Sequence, residues 1–153
     1  MNSPPRFGTV VGSYYESPKT DVEVTSFLVA AALHQVEKVK FYVEERRFHP
    51  DLTRGGKPTA ICYTAMKPHL YLMKYLLKHG ADVNLADAMG MTPLHYAVLG
   101  GHSACVSALI AHGAVSTALN ARGQSAADIA ASRPNLPGCI RYLCSQPAAS
   151  ELH

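Results

Sequence analysis

The sequence predicts an all-α fold, built as an array of about four helix-turn-helix units rather than around a single closed core. The main observation is a spacing of 33 residues, which separates Gly80 from Gly113 and Gly90 from Gly123. Supersecondary units that stack on one another recur at a constant period, so this spacing indicates a solenoid. A second observation is that 48% of the 153 residues are hydrophobic, which is enough to bury a core along such an array. The same period aligns two sets of positions: Thr59, Thr92 and Ser125, and Tyr63, Tyr96 and Ile129.

The central unit, residues 87–119, is the most complete. Its first helix is predicted to begin after Thr92, at the string Thr-Pro-Leu-His-Tyr-Ala, because threonine caps helix starts and Pro93 is tolerated in the first turn. Gly101 allows a tight turn between the two helices, and Gly113 ends the second helix in the left-handed conformation. With its 33-residue period, this string resembles the ankyrin repeat family, whose signature is T-P-L-H-x-A. The resemblance covers roughly residues 22–145 and implies an ankyrin-repeat solenoid with β-turn fingers.

The chain is expected to divide into a flexible arm at 1–20, a repeat domain at 21–145 and a frayed tail at 146–153. The arm is rich in Pro, Ser, Gly and Thr and lacks a helical period. The first unit, 21–53, lacks the head string, as expected of a terminal cap that has one face in water. Its two predicted buried stripes are Phe27, Leu28, Ala31 and Ala32 in the first helix and Val36, Val39, Phe41, Tyr42 and Val43 in the second.

Units two and four, residues 54–86 and 120–145, are partial copies of the central unit. In unit two, Ala60 replaces the proline of the head string and Cys62 replaces its histidine. In unit four, Asp128 occupies the histidine position. This change is expected to weaken contact with any following unit, so it favours a C-terminal cap.

Charge and cysteine content exclude several classes of function. Between residues 37 and 57, six basic and four acidic residues leave an excess of only two, which favours a solvated edge over a nucleic-acid patch. The four cysteines contain no C-x-x-C pair, so we expect reduced, buried thiols rather than zinc ligands or a redox pair. The sequence contains neither a membrane-length apolar run nor a signal-peptide pattern. We therefore expect an intracellular protein, cytoplasmic or nuclear or both, without membrane insertion.

The histidines do not indicate a metal site. His69 and His102 are 33 residues apart, as are His79 and His112. Equivalent repeat positions stand about 10 Å apart, too far to share an ion whose ligands lie about 2.0–2.1 Å away. The resemblance implies that His95 hydrogen-bonds within and between units. The sequence also has no H-E-x-x-H, G-x-S-x-G or P-loop string, so we predict no catalytic residue, metal or cofactor and interpret the chain as non-enzymatic.

The resemblance implies that partners bind through the concave face and the finger loops. Methionine and leucine side chains there are expected to form an adaptable apolar centre with basic residues on either side. Such a surface suits a protein partner that presents an apolar anchor flanked by acidic groups. Alternatively, Met89 and Met91 merely cover the neighbouring finger. The predicted partner-binding residues are Met66, Met89, Met91 and Leu99 at the centre, Arg54, Lys57 and Lys67 on one side, Arg122 and Arg133 on the other, and Asp87 and Gln124 in the fingers.

The sequence is consistent with two alternative functions. The leading interpretation is a monomeric protein-protein interaction module that serves as an adaptor, scaffold or inhibitor. The alternative is a binder of nucleic acid or another anionic surface, whose affinity would fall steeply with salt because phosphate contacts release counterions. The basic residues available for the alternative are Arg46, Arg47, Arg54, Lys57 and Lys67.

Overall fold

The computed structural model describes residues 19–138 and residue 140. Over these residues the chain contains no strand, and seven α-helices and one π-helical turn lie between residues 21 and 132, which confirms the all-α prediction. Residues 1–18 of the predicted arm and all of the predicted tail lie outside the described residues. The helices are α1 Asp21–Ala32, α2 Val36–Lys40, α3 Ala60–Met66, α4 Leu70–Lys78, α5 Pro93–Gly100, α6 Ser103–Ala111 and α7 Ala126–Ser132.

The helices form two layers. Helices α1, α3, α5 and α7 make up an inner layer in which each helix packs against the next. Helices α2, α4 and α6 pack against α1, α3 and α5 respectively, and α4 also packs against α6. The first helices of four successive units therefore lie in a row, as the repeat period predicts. The exposed side of this row is called the inner face below.

Two groups of buried side chains hold the units together and meet in unit two. The first group joins units one and two around Phe27, whose ring packs edge-on against Tyr42 and Phe48 at centroid distances of 5.9 and 5.5 Å. The second group joins units two, three and four and includes Ile61 and Leu94. Because α3 contributes side chains to both groups, the hydrophobic contact continues along the whole row.

Three inner helices begin with a capping box. Thr20 caps α1 together with Glu23, and Ser125 caps α7 together with Asp128. Helix α5 is capped as predicted, because the Thr92 hydroxyl accepts a hydrogen bond from a backbone N–H in the first turn. Helix α3 has no side-chain cap, which agrees with the incomplete head string of unit two. Thr20 lies six residues before position 26, where the 33-residue spacing would place a cap, so α1 begins earlier than the other inner helices and has 12 residues against their seven or eight.

The second helix of unit one departs from the predicted pattern. A π-helical turn, Phe41–Glu45, follows α2, and the Arg46 N–H donates to Phe41 O at 3.1 Å, five residues back. The wider turn shifts the register of the helix, and the prediction that Phe41 is buried is wrong, since its side chain is 51% exposed. Tyr42 and Val43 remain buried, as predicted.

Candidate functional site

Three tight turns, numbered fingers one to three, precede α3, α5 and α7 and comprise residues 54–58, 87–91 and 120–124. Backbone hydrogen bonds join each finger to the next. The Ala88 N–H donates to Gly56 O at 2.8 Å, and the Ala121 N–H donates to Met89 O at 2.9 Å. The fingers therefore lie side by side, and side chains on neighbouring fingers border the same surface.

Fingers two and three are shaped by the same side-chain interaction. The backbone N–H groups of Met89 and Met91 donate to Asp87 Oδ1 at 2.9 and 3.0 Å. In finger three, Asn120 Oδ1 accepts the two equivalent bonds at 2.9 and 3.0 Å. Asp and Asn commonly stabilise turns in this way. Finger one carries Arg54 at the equivalent position, and an arginine side chain has no acceptor for these bonds.

A groove of about 380 Å³ is bordered by fingers two and three and helices α5 and α7. We call it the C-terminal groove. Its lining includes Met89, which is 57% exposed, and Leu99, which is 38% exposed, together with two arginines. The groove brings together six of the eleven predicted partner-binding residues. The full lining is Met89, Met91, Leu99, Asn120, Arg122, Gln124, Ile129, Ser132 and Arg133.

The arginines give this groove a positive charge. Arg133 Nη1 donates to the backbone oxygen of Leu99 at 3.2 Å, which holds one side of the guanidinium against the end of α5. A guanidinium has five N–H donors, so beside this bond within the described residues the group can also bind a carboxylate. Arg122 is exposed at the tip of finger three. No aspartate or glutamate is among the described residues that line the groove.

Two predicted partner-binding residues, Asp87 and Gln124, make hydrogen bonds to other residues of the same chain. Asp87 accepts the finger hydrogen bonds through Oδ1, and its Oδ2 accepts a hydrogen bond from the hydroxyl of Tyr96. Desolvation raises the pKa of Tyr96, and the bond to Asp87 raises it further, so the phenol stays protonated and remains a donor. The backbone oxygen of Gln124 accepts a hydrogen bond from His95. Asp87 therefore shapes finger two, and the Gln124 main chain links two units.

The remaining predicted residues lie elsewhere on the inner face or at its edge. Lys57 lines a smaller groove of about 150 Å³, which we call the N-terminal groove. Arg54 lies 2.8 Å from Asp21 in an exposed ion pair and also donates to the backbone at the start of the described chain. Met66 and Lys67 are exposed at the end of α3, between the two grooves. The predicted surface is thus divided into two grooves instead of forming one patch. The N-terminal groove is lined by Thr25, Leu28, Val29, Ala32, Lys57 and Tyr63.

The sequence reasoning missed the inner-face residues of unit one. Val29 is 46% exposed and lines the N-terminal groove beside Tyr63. Val29 lies 34 residues before Tyr63, one more than the 33-residue period that relates Tyr63, Tyr96 and Ile129. The strict 33-residue spacing points to the buried Ala30 instead, so the period alone does not identify Val29.

His95 links units three and four. It is fully buried, its Nδ1 accepts from the Thr92 N–H at 3.0 Å, and its Nε2–H donates to Gln124 O at 3.0 Å. This arrangement requires the neutral ring with the proton on Nε2. Burial lowers the pKa of His95, which favours the same neutral form. The role implied by the family resemblance is confirmed.

The cysteines and other ligand-type groups do not form a reactive centre in the described residues. Cys62 and Cys105 are buried free thiols, as predicted, and burial raises the pKa of Cys62 to about 11 and that of Cys105 in the same direction. Cys139 and Cys144 lie outside the described side chains. In the part of the chain that the structure describes, no group of three or more His, Cys, Asp or Glu is placed to hold a metal ion. Nor does that part contain a helix both long and apolar enough to cross a membrane.

The basic residues proposed for an anionic ligand are partly neutralised. Arg46 donates through both Nε and Nη2 to Glu23 Oε1, and Arg54 pairs with Asp21. Both carboxylates belong to α1, so this helix supplies a negative charge next to each of the two arginines. This observation weighs against a nucleic-acid surface on units one and two.

The geometry described above agrees with the family comparison. A family model described as ankyrin repeats (3 copies) matches residues 27–118 and 83–151, which together make up more than half of the chain. The resemblance implied stacked helix pairs, fingers, and a head-string histidine that hydrogen-bonds within and between units. The chain belongs to the ankyrin repeat family.

Among curated proteins, this chain is similar to several that carry ankyrin repeats. It is 41% identical over 78 residues to ankyrin repeat domain-containing protein 37 of Mus musculus, covering 48% of each chain. Against the Xenopus tropicalis protein of the same name it is 34% identical over 96 residues, or 63% of this chain and 57% of that one. It is 30% identical over 94 residues to protein phosphatase 1 regulatory subunit 27 of Mus musculus, covering 61% of each. The chain thus spans about half the length of the curated relatives it matches.

Proposed function

We propose that this protein is a non-enzymatic interaction module that binds a protein partner in the C-terminal groove. The observation that carries the proposal is the combination of exposed Met89 and Leu99 with Arg122 and Arg133 in one groove. Burying apolar surface yields about 25 cal/mol per Å², and the arginines add directional bonds to carboxylates at its edge. Interfaces concentrate their energy in such apolar centres with polar surroundings.

The family and one relative support a role in regulating or connecting other proteins. Ankyrin repeats are general protein-protein interaction modules, and the name of protein phosphatase 1 regulatory subunit 27 describes a protein that regulates an enzyme. By analogy, we propose that this chain acts on its partner by binding, as an adaptor, scaffold or inhibitor. Fold alone does not determine function, so the proposal depends on the groove itself.

Proximity labelling in cells tests this proposal with a double variant, Met89→Asp with Leu99→Asp. Two carboxylates in the groove would remove apolar contact and repel an acidic partner, so labelling of specific neighbours should fall at least about tenfold. Tyr71→Asp is the control, because it places a carboxylate at an exposed aromatic residue that lines neither groove.

Circular dichroism should show that both variants retain the helical content of the wild-type protein. Loss of neighbours in the double variant but not in Tyr71→Asp is the expected result. If the folded double variant labels the same proteins as the wild type, the C-terminal groove is not the binding site.

A further inference from the structure

The two grooves of the inner face share a common construction. The N-terminal groove has apolar walls from Val29 and Leu28 of α1 and an aromatic ring from Tyr63 of α3, with Lys57 of finger one at its side. The C-terminal groove repeats the apolar walls and the finger cation two units further on, between α5 and α7, without an aromatic ring in its lining. Each groove therefore offers an apolar surface next to at least one cation from a finger.

A row of partly exposed apolar side chains lies between the grooves. Met66, at the end of α3, is 38% exposed, the same fraction as Leu99 at the equivalent position of α5. Tyr63 and Tyr96 are half-buried one turn earlier on the same helices. Helix α3 packs closely on α5, and Gly100 leaves so little space that a Cβ there would lie 2.6 Å from Met66 O. These side chains give the inner face exposed apolar surface between the two grooves.

The charged side chains that line the two grooves have one sign. The described residues that line the two grooves include Lys57, Arg122 and Arg133 and no carboxylate. The nearby Asp87 uses both carboxylate oxygens within its own unit. A segment that occupies both grooves is therefore favoured when it carries acidic residues near its apolar ones.

The distance between the grooves sets the spacing of the apolar residues in a partner. Neighbouring helices pack about 8–10 Å apart, so two helix spacings separate the grooves by about 16–20 Å. An extended chain advances about 3.3 Å per residue, and its side chains alternate between opposite faces. Six residues span about 20 Å and place both anchors on the same face, whereas five residues place them on opposite faces.

From these observations we infer that the partner segment is an extended acidic peptide with two apolar anchors six residues apart, one for each groove. The inference rests on the proposed function, because it assigns the chemistry of the segment that the C-terminal groove binds. It adds the N-terminal groove as a second contact and makes the separation of the anchors a determinant of specificity.

Fluorescence anisotropy with synthetic peptides tests this inference on the full chain. The reference peptide has leucines at positions i and i+6 within a background of serine, aspartate and glutamate. Three comparison peptides move the second leucine to i+5, replace it with serine, or replace all acidic residues with lysine. We expect the reference peptide to bind at least about tenfold more tightly than each comparison peptide, since one buried leucine or the matched charge is lost.

Protein variants separate the contributions of the two grooves. Val29→Asp should reduce the affinity of the reference peptide to that of the single-leucine peptide. The charge reversal Lys57→Glu provides a second test of the N-terminal groove at an exposed position that does not enter the core. Tyr71→Asp should leave the affinity for all peptides unchanged.

Several outcomes would overturn the inference. If the single-leucine and reference peptides bind equally and only Leu99→Asp weakens them, the proposed function stands but the second groove is not used. If the lysine peptide or a single-stranded poly-dT oligonucleotide binds as tightly as the reference peptide, an acidic peptide is the wrong ligand class. Absence of binding by any acidic peptide would also refute the assigned chemistry, whereas the labelling experiment decides the proposed function separately.

Discussion

The side chain of His95 shows how one residue can join two repeats. Its Nδ1 accepts a bond from its own helix start, and its Nε2–H donates to the next finger at Gln124 O. The ring must be neutral to make both bonds, and no other side chain of its size offers an acceptor and a donor on opposite sides. The same finger supplies residues to the C-terminal groove, so this bond helps hold the groove in shape.

Acidification should therefore destabilise the protein through His95. Because burial lowers its folded-state pKa below the usual value of about 6.5, the unfolded chain binds the proton more readily than the folded chain. The free energy of unfolding should be greatest above about pH 6.5 and fall as the pH drops from there towards the folded-state pKa. Urea unfolding at a series of pH values measures this loss.

Comparison with two variants isolates the contribution of His95. His95→Gln should lower stability at pH 7 by about 1–3 kcal/mol, because buried hydrogen bonds are lost, and should flatten the pH dependence. Replacement of the exposed His112 by Gln is the control and should leave the slope intact. His69, whose pKa is lowered by desolvation and then by His34, contributes a slope of the same sign that remains in both variants. An unchanged pH dependence in His95→Gln would refute this account.

At the scale of elements, the fingers are positioned by their contacts with one another. Gly90 has φ +72°, and a Cβ there would lie 2.9 Å from the backbone nitrogen of Ala121 in the next finger. Gly123, at the equivalent position of finger three, has φ +73° but no atom within 4 Å of such a Cβ. The two glycines share a left-handed conformation and differ in whether a neighbouring finger approaches them.

This pair provides a matched test of finger packing. Gly123→Ala should cost about 1 kcal/mol, because alanine disfavours the left-handed conformation. Gly90→Ala should cost at least about 1 kcal/mol more, since its methyl group must also displace the backbone of finger three. Chemical denaturation of both variants measures the difference. Equal losses of stability would show that the close approach between fingers does not constrain the structure.

The elements also show which features a sequence can reveal. The head string at Thr92 predicted the helix start and the cap, because both depend on local chemistry, whereas the hydrogen bonds of His95 were implied by the family resemblance. The π-helical turn after Lys40 was not predicted, since a single bond from Arg46 N–H to Phe41 O leaves no periodic signal. The greater length of α1 was not predicted for a related reason, because its cap at Thr20 lies outside the repeat register.

At the scale of the whole molecule, the stacking of repeats decides which residues share a surface. The sequence placed Met89, Met91 and Leu99 together with Arg122 and Arg133, and the structure gathers them in one groove. The sequence could not show that the carboxylate of Asp87 accepts hydrogen bonds from the hydroxyl of Tyr96 and from backbone N–H groups of its own finger. Nor could it show that Lys57 lies in a separate groove, because that depends on how neighbouring helices pack.

The methyl groups of the methionines offer the most direct test that the C-terminal groove binds a partner. Carbon-13 labelling of methionine methyl groups gives one NMR signal per residue, and titration with the single-leucine acidic peptide reports which of them it contacts. We predict that the signals of Met89 and Met91, which line the groove, shift with increasing peptide, while that of fully buried Met73 does not. Binding that leaves Met89 and Met91 unshifted would contradict the assignment of this groove as the binding site.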